Sequence, residues 1–260
     1  MFRWRELTSS DLSKLDPAQW LTIWPVASLE QHGPHLPLGT DAIVLEAIVQ
    51  GIEERLEPSF PALLLPIMPV GKSPEHLTFP GTVSLRASTL LAIVEDIVSS
   101  LAAHGFRRLV FLNGHGGNTA LLRAISADLC LKFGSRIYHI DWWADSFFDE
   151  IIAELFPELA GTEVHAASVE TSLLLHLCPN LVKPLTGTSR ANLKANLDRV
   201  RTWFAGPAAW SWLTRDFGDT GIIGDPSLAS AEAGERILAF AIDRVCRLLE
   251  TIRAMNWGNG

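Results

Sequence analysis

The sequence predicts an α/β fold in which a mostly parallel sheet is covered by helices. Two observations carry this. Apolar, strand-like runs alternate with longer stretches of helical spacing. The strand-like runs are almost continuously apolar, as in strands buried on both faces. The length of 260 residues fits one large α/β domain or two small ones, and no repeat, low-complexity tract or linker divides it. With 48% hydrophobic and 19% charged residues, the composition is that of a folded globular chain.

Each element follows in turn. LTIWPVAS (21–28) reads as the first strand. DAIVLEAIVQGIEERL (41–56) follows as a helix, because Val44, Leu45, Ile48, Ile52 and Leu56 share one face. ALLLPIMPV (62–70) is the next strand, and its prolines imply an end or a bulge. Residues 88–103 are helical, with Leu90, Val94, Ile97 and Leu101 aligned. RRLVFLNG (107–114) is a short apolar strand, 118–133 a helix, RIYHID (136–141) a strand and Val164 to Leu177 a helix. The segment from Ala231 to Ala254 is one long amphipathic helix.

The formal charge is −8, with no dominant basic cluster, which argues against nucleic acid as a partner. The basic stretch SRANLKANLDRVR (189–201) reads as a solvated helix face. Cys130, Cys178 and Cys246 are far apart and lie in apolar helical stretches, so buried free thiols are expected. MFRWRELTSSDL lacks the apolar segment of a signal peptide, and no run is long enough to span a membrane. A cytoplasmic location is the expectation.

Ligands in parallel sheets bind beyond the carboxyl ends of the strands, and the unusual residues all fall just after predicted strands. The first group is EQHGPHLPLGTD (30–41). In extended chain Glu30 and His32 point the same way. Pro34 and Pro37 stiffen the following turn, and Gly39-Thr40 delivers Asp41 to a helix start, where it is either a cap or a ligand. The second group is NGHGGN, Asn113 to Asn118. Its glycines allow close backbone approach and leave His115 uncrowded. A phosphate cradle is the other reading, but the Walker lysine and the Rossmann spacing are missing. The third is HAASVETS (165–172). His165 and Glu170 are about 140° apart around a helix, so they meet only if His165 stands at its entrance. The fourth, GKSPEHLTFPGT (71–82), has turns flanking His76 and forms a pocket wall or lid.

Imidazole and carboxylate are the ligands that suit zinc, manganese and iron. Glu30, His32, Asp41, His115 and Glu170 provide a ligand set for two such ions, with three carboxylate charges against four positive ones. Two nearby cations acidify a shared water and polarise a carbonyl.

LEQHGPHLPLGTD, HLTFPGT, NGHGGN and HAASVETS, in that order, resemble the signature blocks of the creatininase (creatinine amidohydrolase) family. The likeness runs from about Trp24 to about Leu175 and more weakly beyond. It implies a three-layer α/β/α sandwich with a mostly parallel central sheet, a single domain over residues 1–260, and amide hydrolysis at a centre of two divalent metals. Glu30, His32, Asp41 and His115 would lie on the metals, with Asp41 between them. Creatininase itself has an acid where this chain has Gly117, and Glu170 would supply the missing ligand. His165 matches the histidine that handles protons, with Glu170 beside it. The implied reaction is attack on a carbonyl carbon by a hydroxide held between the cations. His76, Gly116 and Trp142 are candidate substrate contacts, Trp142 being equally readable as core.

The Trp-Asp pair that contacts creatinine is replaced by Gly161-Thr162. A small cyclic or linear amide is therefore the expected substrate class, with a peptidase trimming a modified precursor, or a non-catalytic metal binder, as alternatives. The family also implies a homo-oligomer, often a hexamer. TWFAGPAAWSWL (202–213) offers an apolar surface for it, or an ordinary core.

Overall fold

The structure, a computed structural model, describes residues 1–144, 146–159, 161–186 and 211–255. Five parallel strands form one sheet in the order β1-β3-β2-β4-β5. They are β1 (Phe2–Arg3), β2 (Leu21–Val26), β3 (Ala62–Leu64), β4 (Arg108–Asn113) and β5 (Arg136–Asp141). The helices are α1 (Ser9–Leu12), α2 (Thr40–Arg55), α3 (Ala87–Ala103), α4 (Gly116–Phe133), α5 (Ser146–Leu155), α6 (Ser168–Leu177) and the C-terminal helix (Ala231–Ala254).

Successive residues of a strand point to opposite faces, and here both faces are covered. Ile23, Val110 and Leu112 pack with α2, α6 and the C-terminal helix. Trp24, Val26, Leu109 and Phe111 pack with α3 and α4 on the other side. Helices on both sides of one sheet make the expected three layers. Full burial explains why β2 and β4 show no polar alternation.

Three expectations need correction. The strand expected over 62–70 pairs regularly only to Leu64. Pro66 has no N–H to donate, and the chain rejoins β2 at Met68, whose N–H donates to the Pro25 carbonyl. The helix expected from Val164 begins at Ser168, leaving His165 in an extended pairing with Ile223. The cysteines are all unpaired, but only Cys246 is buried; Cys130 and Cys178 are half-buried. β1 and α5 were not foreseen: two residues show no periodicity, and α5 follows the Trp pair without a readable start. Residues 189–201, read above as a basic helix face, and 202–210, most of the apolar surface, lie outside the described residues. Among the described residues no helix is long and apolar enough to cross a membrane.

The chain leaves β2 for β3 on one side and later returns to β4 on the other. This reversal opens a crevice beyond the carboxyl ends of β2 and β4, the usual ligand site of such sheets. Side chains from α6, among them Val169 and Glu170, close it from one side, and the C-terminal helix packs behind α6. These two helices touch closely: Ser230 caps the C-terminal helix by accepting from Ala233 N–H, and its own N–H donates to Ser172 Oγ. A Cβ on Gly234 would lie 2.0 Å from the Ser172 carbonyl oxygen. Alanine is favoured over glycine inside helices by about 1 kcal/mol, but the clash with backbone outweighs it. We therefore expect Gly234→Ala to destabilise the protein by about 1–3 kcal/mol, read as a lowered thermal midpoint; a raised midpoint contradicts the packing.

Candidate metal centre

The segment after β2 and the turn after β4 meet in the crevice, and a buried cluster forms there. Glu30 is 1% exposed and His32 fully buried. Ser28 Oγ donates to Glu30 Oε2 at 2.6 Å. His32 Nδ1–H donates to the Glu30 carbonyl at 3.1 Å, which turns Nε2 toward Asp41 Oδ1 at 3.1 Å and Glu170 Oε1 at 3.6 Å. Asp41 lies in the first turn of α2 but makes no cap hydrogen bond. Its carboxylate faces His32 and His115 instead, so the helix-cap reading fails.

His115 closes the cluster from the other strand. Its Nε2–H donates to the Lys72 carbonyl at 3.0 Å, so Nδ1 is the nitrogen left for a cation or a proton, and it faces Glu30 Oε2 and Asp41 Oδ2, each at 3.3 Å. Fixing one ring nitrogen on a carbonyl while the other points at carboxylates is how metal-ligating histidines are oriented. The asparagines of NGHGGN brace this turn. Asn118 accepts from Lys72 N–H and donates to the Ala27 carbonyl, while Asn113 accepts from His115 N–H.

Glu170 and His165 arrive together through a backbone bend. Ala166 has φ +52°, the sole positive value outside glycine among the described residues. Such strain recurs at functional sites. The bend sets His165 at the entrance of α6, where its Nε2–H donates to the Gln31 carbonyl at 2.8 Å and Nδ1 faces Glu30 Oε1 at 3.6 Å. Glu170 Oε2 accepts from Ala166 N–H, and Oε1 turns to His32.

The donors fall into trios of mutually close ligand atoms. Glu30, Asp41 and His115 form one, and His32, Asp41 and Glu170 another, each within 4.8 Å. Asp41 belongs to both. A third trio joins Glu30, His32 and His165. His32 Nε2 and Asp41 Oδ2 are buried without a well-directed hydrogen bond, despite the short approaches between them and their neighbours. Orphaned ligand atoms among buried carboxylates fit divalent cations well.

The electrostatics agree. Burial pushes Glu30 up to about 7, against the pull of His115. Burial acts to lower His115, but Glu30 and Asp41 overcome it and raise the imidazole to about 9. His32 is likewise raised, Glu170 and Asp41 prevailing over burial. Asp41 is held well below the carboxylate range, the imidazoles outweighing its burial. His165, which burial and the His32 charge depress to about 4, stays neutral at pH 7.

Of the candidate substrate contacts, His76, Gly116 and Trp142 all line the cavity of about 400 Å³ above the cluster. Trp142 packs edge-on against Trp143 and Phe148, so it also belongs to the core. Thr162 is fully buried with its hydroxyl on the Leu159 carbonyl, and Gly161 offers no side chain. At Gly117 a Cβ would lie 2.4 Å from both His115 Nε2 and the Lys72 carbonyl and 2.5 Å from Glu75 Oε1. Glu75 fills that space, 3.9 Å from His115 and 3.4 Å from Lys72 Nζ.

Sequence reading missed two residues here. Gln31 lies inside the first block but was passed over between two ligand types. Glu163 had no motif to mark it. It lines the cavity, accepts from Val169 N–H at the start of α6, and leaves Oε1 buried without a partner. Burial pushes its carboxyl up to about 8.

With this geometry in place, the comparisons assign the family. The creatininase model (creatinine amidohydrolase) matches residues 5–249, and the chain belongs to that family of hydrolases acting on C–N bonds. The mycofactocin precursor peptide peptidase of Mycobacterium tuberculosis (strain CDC 1551 / Oshkosh) is 35% identical over 251 residues, covering 93% of this chain and 89% of that protein. Creatinine amidohydrolase of Pseudomonas putida is 34% identical over 172 residues, 61% of this chain and 64% of the other. A solved structure, "Creatininase Mn", superposes with TM-score 0.74 at 26% identity, covering 97% of this chain and 99% of its own.

Two outcomes are expected. At pH 7 the cation-free cluster carries protons on His115 and His32, which divalent ions must displace. Adding zinc or manganese should release about one to two protons per chain, fewer as pH rises past about 9; potentiometry showing no release contradicts the ligand set. Glu163 binds its proton more tightly in the folded state, so its contribution to stability is lost as pH rises through about 8. At constant metal load, the thermal midpoint of Glu163→Gln should fall less steeply than the parent's between pH 6 and 9, by a few degrees.

Proposed function

We propose that the protein hydrolyses a peptide or peptide-like C–N bond of a precursor peptide at a centre of two divalent cations. The observation that carries this reading is the pair of ligand trios sharing Asp41. Glu30 and His115 would hold one cation, His32 and Glu170 the other, and Asp41 both. When bound, the cations supply an acidified water and polarise the scissile carbonyl.

The chain's own residues do the rest. His165 is neutral at pH 7, with the Nε2 hydrogen fixed on the Gln31 carbonyl. Its Nδ1 lone pair therefore faces the cluster, placed to take a proton and pass it to the leaving nitrogen. The Trp142 and Phe148 wall excludes water and receives apolar substrate surface.

A peptide is favoured over creatinine by three findings. A relative 35% identical over 93% of this chain is named a precursor peptide peptidase. The cavity has room beyond a small ring. By the resemblance of its sequence blocks, the chain has Gly161 and buried Thr162 in place of the Trp-Asp pair expected at a creatinine site. In this reading the protein works as a homo-oligomer.

The test is turnover of metal-loaded enzyme on a peptide panel beside small cyclic amides. Peptides should be cleaved and creatinine not. Glu30→Gln and His115→Ala should each cost about a hundredfold or more in kcat/KM. Full turnover in both variants would discard the metal mechanism, and cleavage of cyclic amides alone would discard the peptide.

A further inference from the structure

His76 has a role that neither the metals nor His165 explains. It comes from the short turn between β3 and α3 and lines the cavity with 3% exposure. Its ring lies against that of His165, tilted by 40° with centroids 4.2 Å apart, and its Nε2 faces Glu30 Oε1 at 3.4 Å. Its Nδ1 receives two polar groups, Gln31 Nε2 at 2.8 Å and Thr214 Oγ1 at 2.9 Å.

The hydrogen positions can be worked out from the partners. Gln31 Oε1 accepts from Gly33 N–H at 2.9 Å, and Gln31 Nε2 donates to the Gly221 carbonyl at 3.0 Å. Reversing the amide would set its oxygen against the Gly221 carbonyl oxygen and its nitrogen against the Gly33 N–H. The orientation is therefore fixed. One hydrogen of the amide goes to Gly221 and the other to His76 Nδ1. The 3.1 Å approach of Gln31 Nε2 to His165 Nε2 is then no hydrogen bond, since that ring nitrogen's hydrogen already goes to the Gln31 carbonyl. A ring nitrogen that accepts carries no hydrogen, so neutral His76 bears its hydrogen on Nε2.

We propose that Gln31, assisted by Thr214, locks His76 as the Nε2–H tautomer, making it a fixed hydrogen-bond donor to the carbonyl oxygen of the scissile bond. At 3.4 Å from Glu30 Oε1, the Nε2 hydrogen is too far for a good hydrogen bond and remains available to an oxygen entering the cavity. The two neighbouring imidazoles thus take opposite parts. His165 offers a lone pair and His76 offers a hydrogen, and one glutamine sets both, through its backbone carbonyl and its side-chain amide. A donor held in place before charge develops costs no reorganisation during reaction. The substrate role rests on the hydrolase reading above; the tautomer does not.

The test has two parts that fail separately. First, two-bond hydrogen–nitrogen correlation spectra of 15N-histidine-labelled, zinc-loaded protein report the tautomer with no substrate, His76 being assigned by the signals lost in His76→Phe. The expected result is a hydrogen on Nε2 and none on Nδ1. In Gln31→Glu, whose carboxylate accepts instead of donating, the hydrogen should move to Nδ1 or occupy both nitrogens. Thr214→Val, a gentler change, should leave the Nε2–H tautomer in place. Nδ1–H in the parent protein, or an unchanged tautomer in folded Gln31→Glu, overturns the proposal; the parent spectrum alone decides should Gln31→Glu not fold.

Second, on any peptide that the parent cleaves, His76→Phe should lower kcat by about a hundredfold with metal content unchanged. His76→Gln, whose amide restores an N–H, should recover about tenfold of that loss, with KM moving far less than kcat. Loss of metal in both variants would assign His76 to holding Glu30 and overturn the donor role. Equal activity of the two variants would overturn it too.

Discussion

Three carboxylates must share one buried volume at the end of the sheet, and most of the site's architecture answers that demand. Glu30 and Asp41 have nearly no water to solvate them, and Glu170 is only 22% exposed. Buried charge of one sign is costly unless opposite charge is brought to it. The neighbours able to bring it are His32 and His115, and both rings are held by backbone carbonyls so that a bare nitrogen faces the acids. Without cations, protons on these rings partly balance the charge. Divalent cations would bring the balance nearly to completion, which is the physical reason that a cluster of this composition suits metal.

The sheet makes the crowding possible. β2 and β4 are neighbours although α2, β3 and α3 separate them in the chain. The reversal of strand order between them leaves their carboxyl ends free of overlying connections, so the Glu30 segment and the His115 turn can meet there. The closeness is enforced by small residues. A Cβ on Gly71 would lie 2.5 Å from the Ala27 carbonyl, and one on Gly117 would strike Lys72 and His115. Glycine in these turns serves packing of backbone on backbone more than any anion. A side chain at the Gly117 position has no room, and the carboxylate of Glu75 lies in that space.

Around the carboxylates the remaining groups divide into donors and acceptors through their hydrogen-bond partners rather than their identity. His32, His76, His115 and His165 are four copies of one side chain in contact range. His165 and His76 lie against the same Glu30 oxygen, yet the partners on their far sides give them opposite hydrogens. Strain is part of the same design. Ala166 adopts a left-handed conformation so that His165 and Glu170, which could not share a helix face, both reach Glu30 and its neighbours.

The sequence alone determined the fold class, the order of the main strands and helices, and the residues with metal-ligand chemistry. It could do so because burial on both faces leaves uninterrupted apolar runs, and because Glu30-Gln31-His32, Asn113 to Asn118 and His165 to Ser172 combine acids, imidazoles and glycines in places where packing has no use for them. Only the tertiary structure decided that Asp41 belongs to two ligand trios and caps nothing, that Glu75 fills the space at Gly117, and that Gln31 joins His76 to His165. The Gln31 contacts alone join segments 45 to 190 residues apart in the chain. Spacing along one chain cannot encode the direction in which an amide or an imidazole points. That direction is set by partners that folding brings from elsewhere.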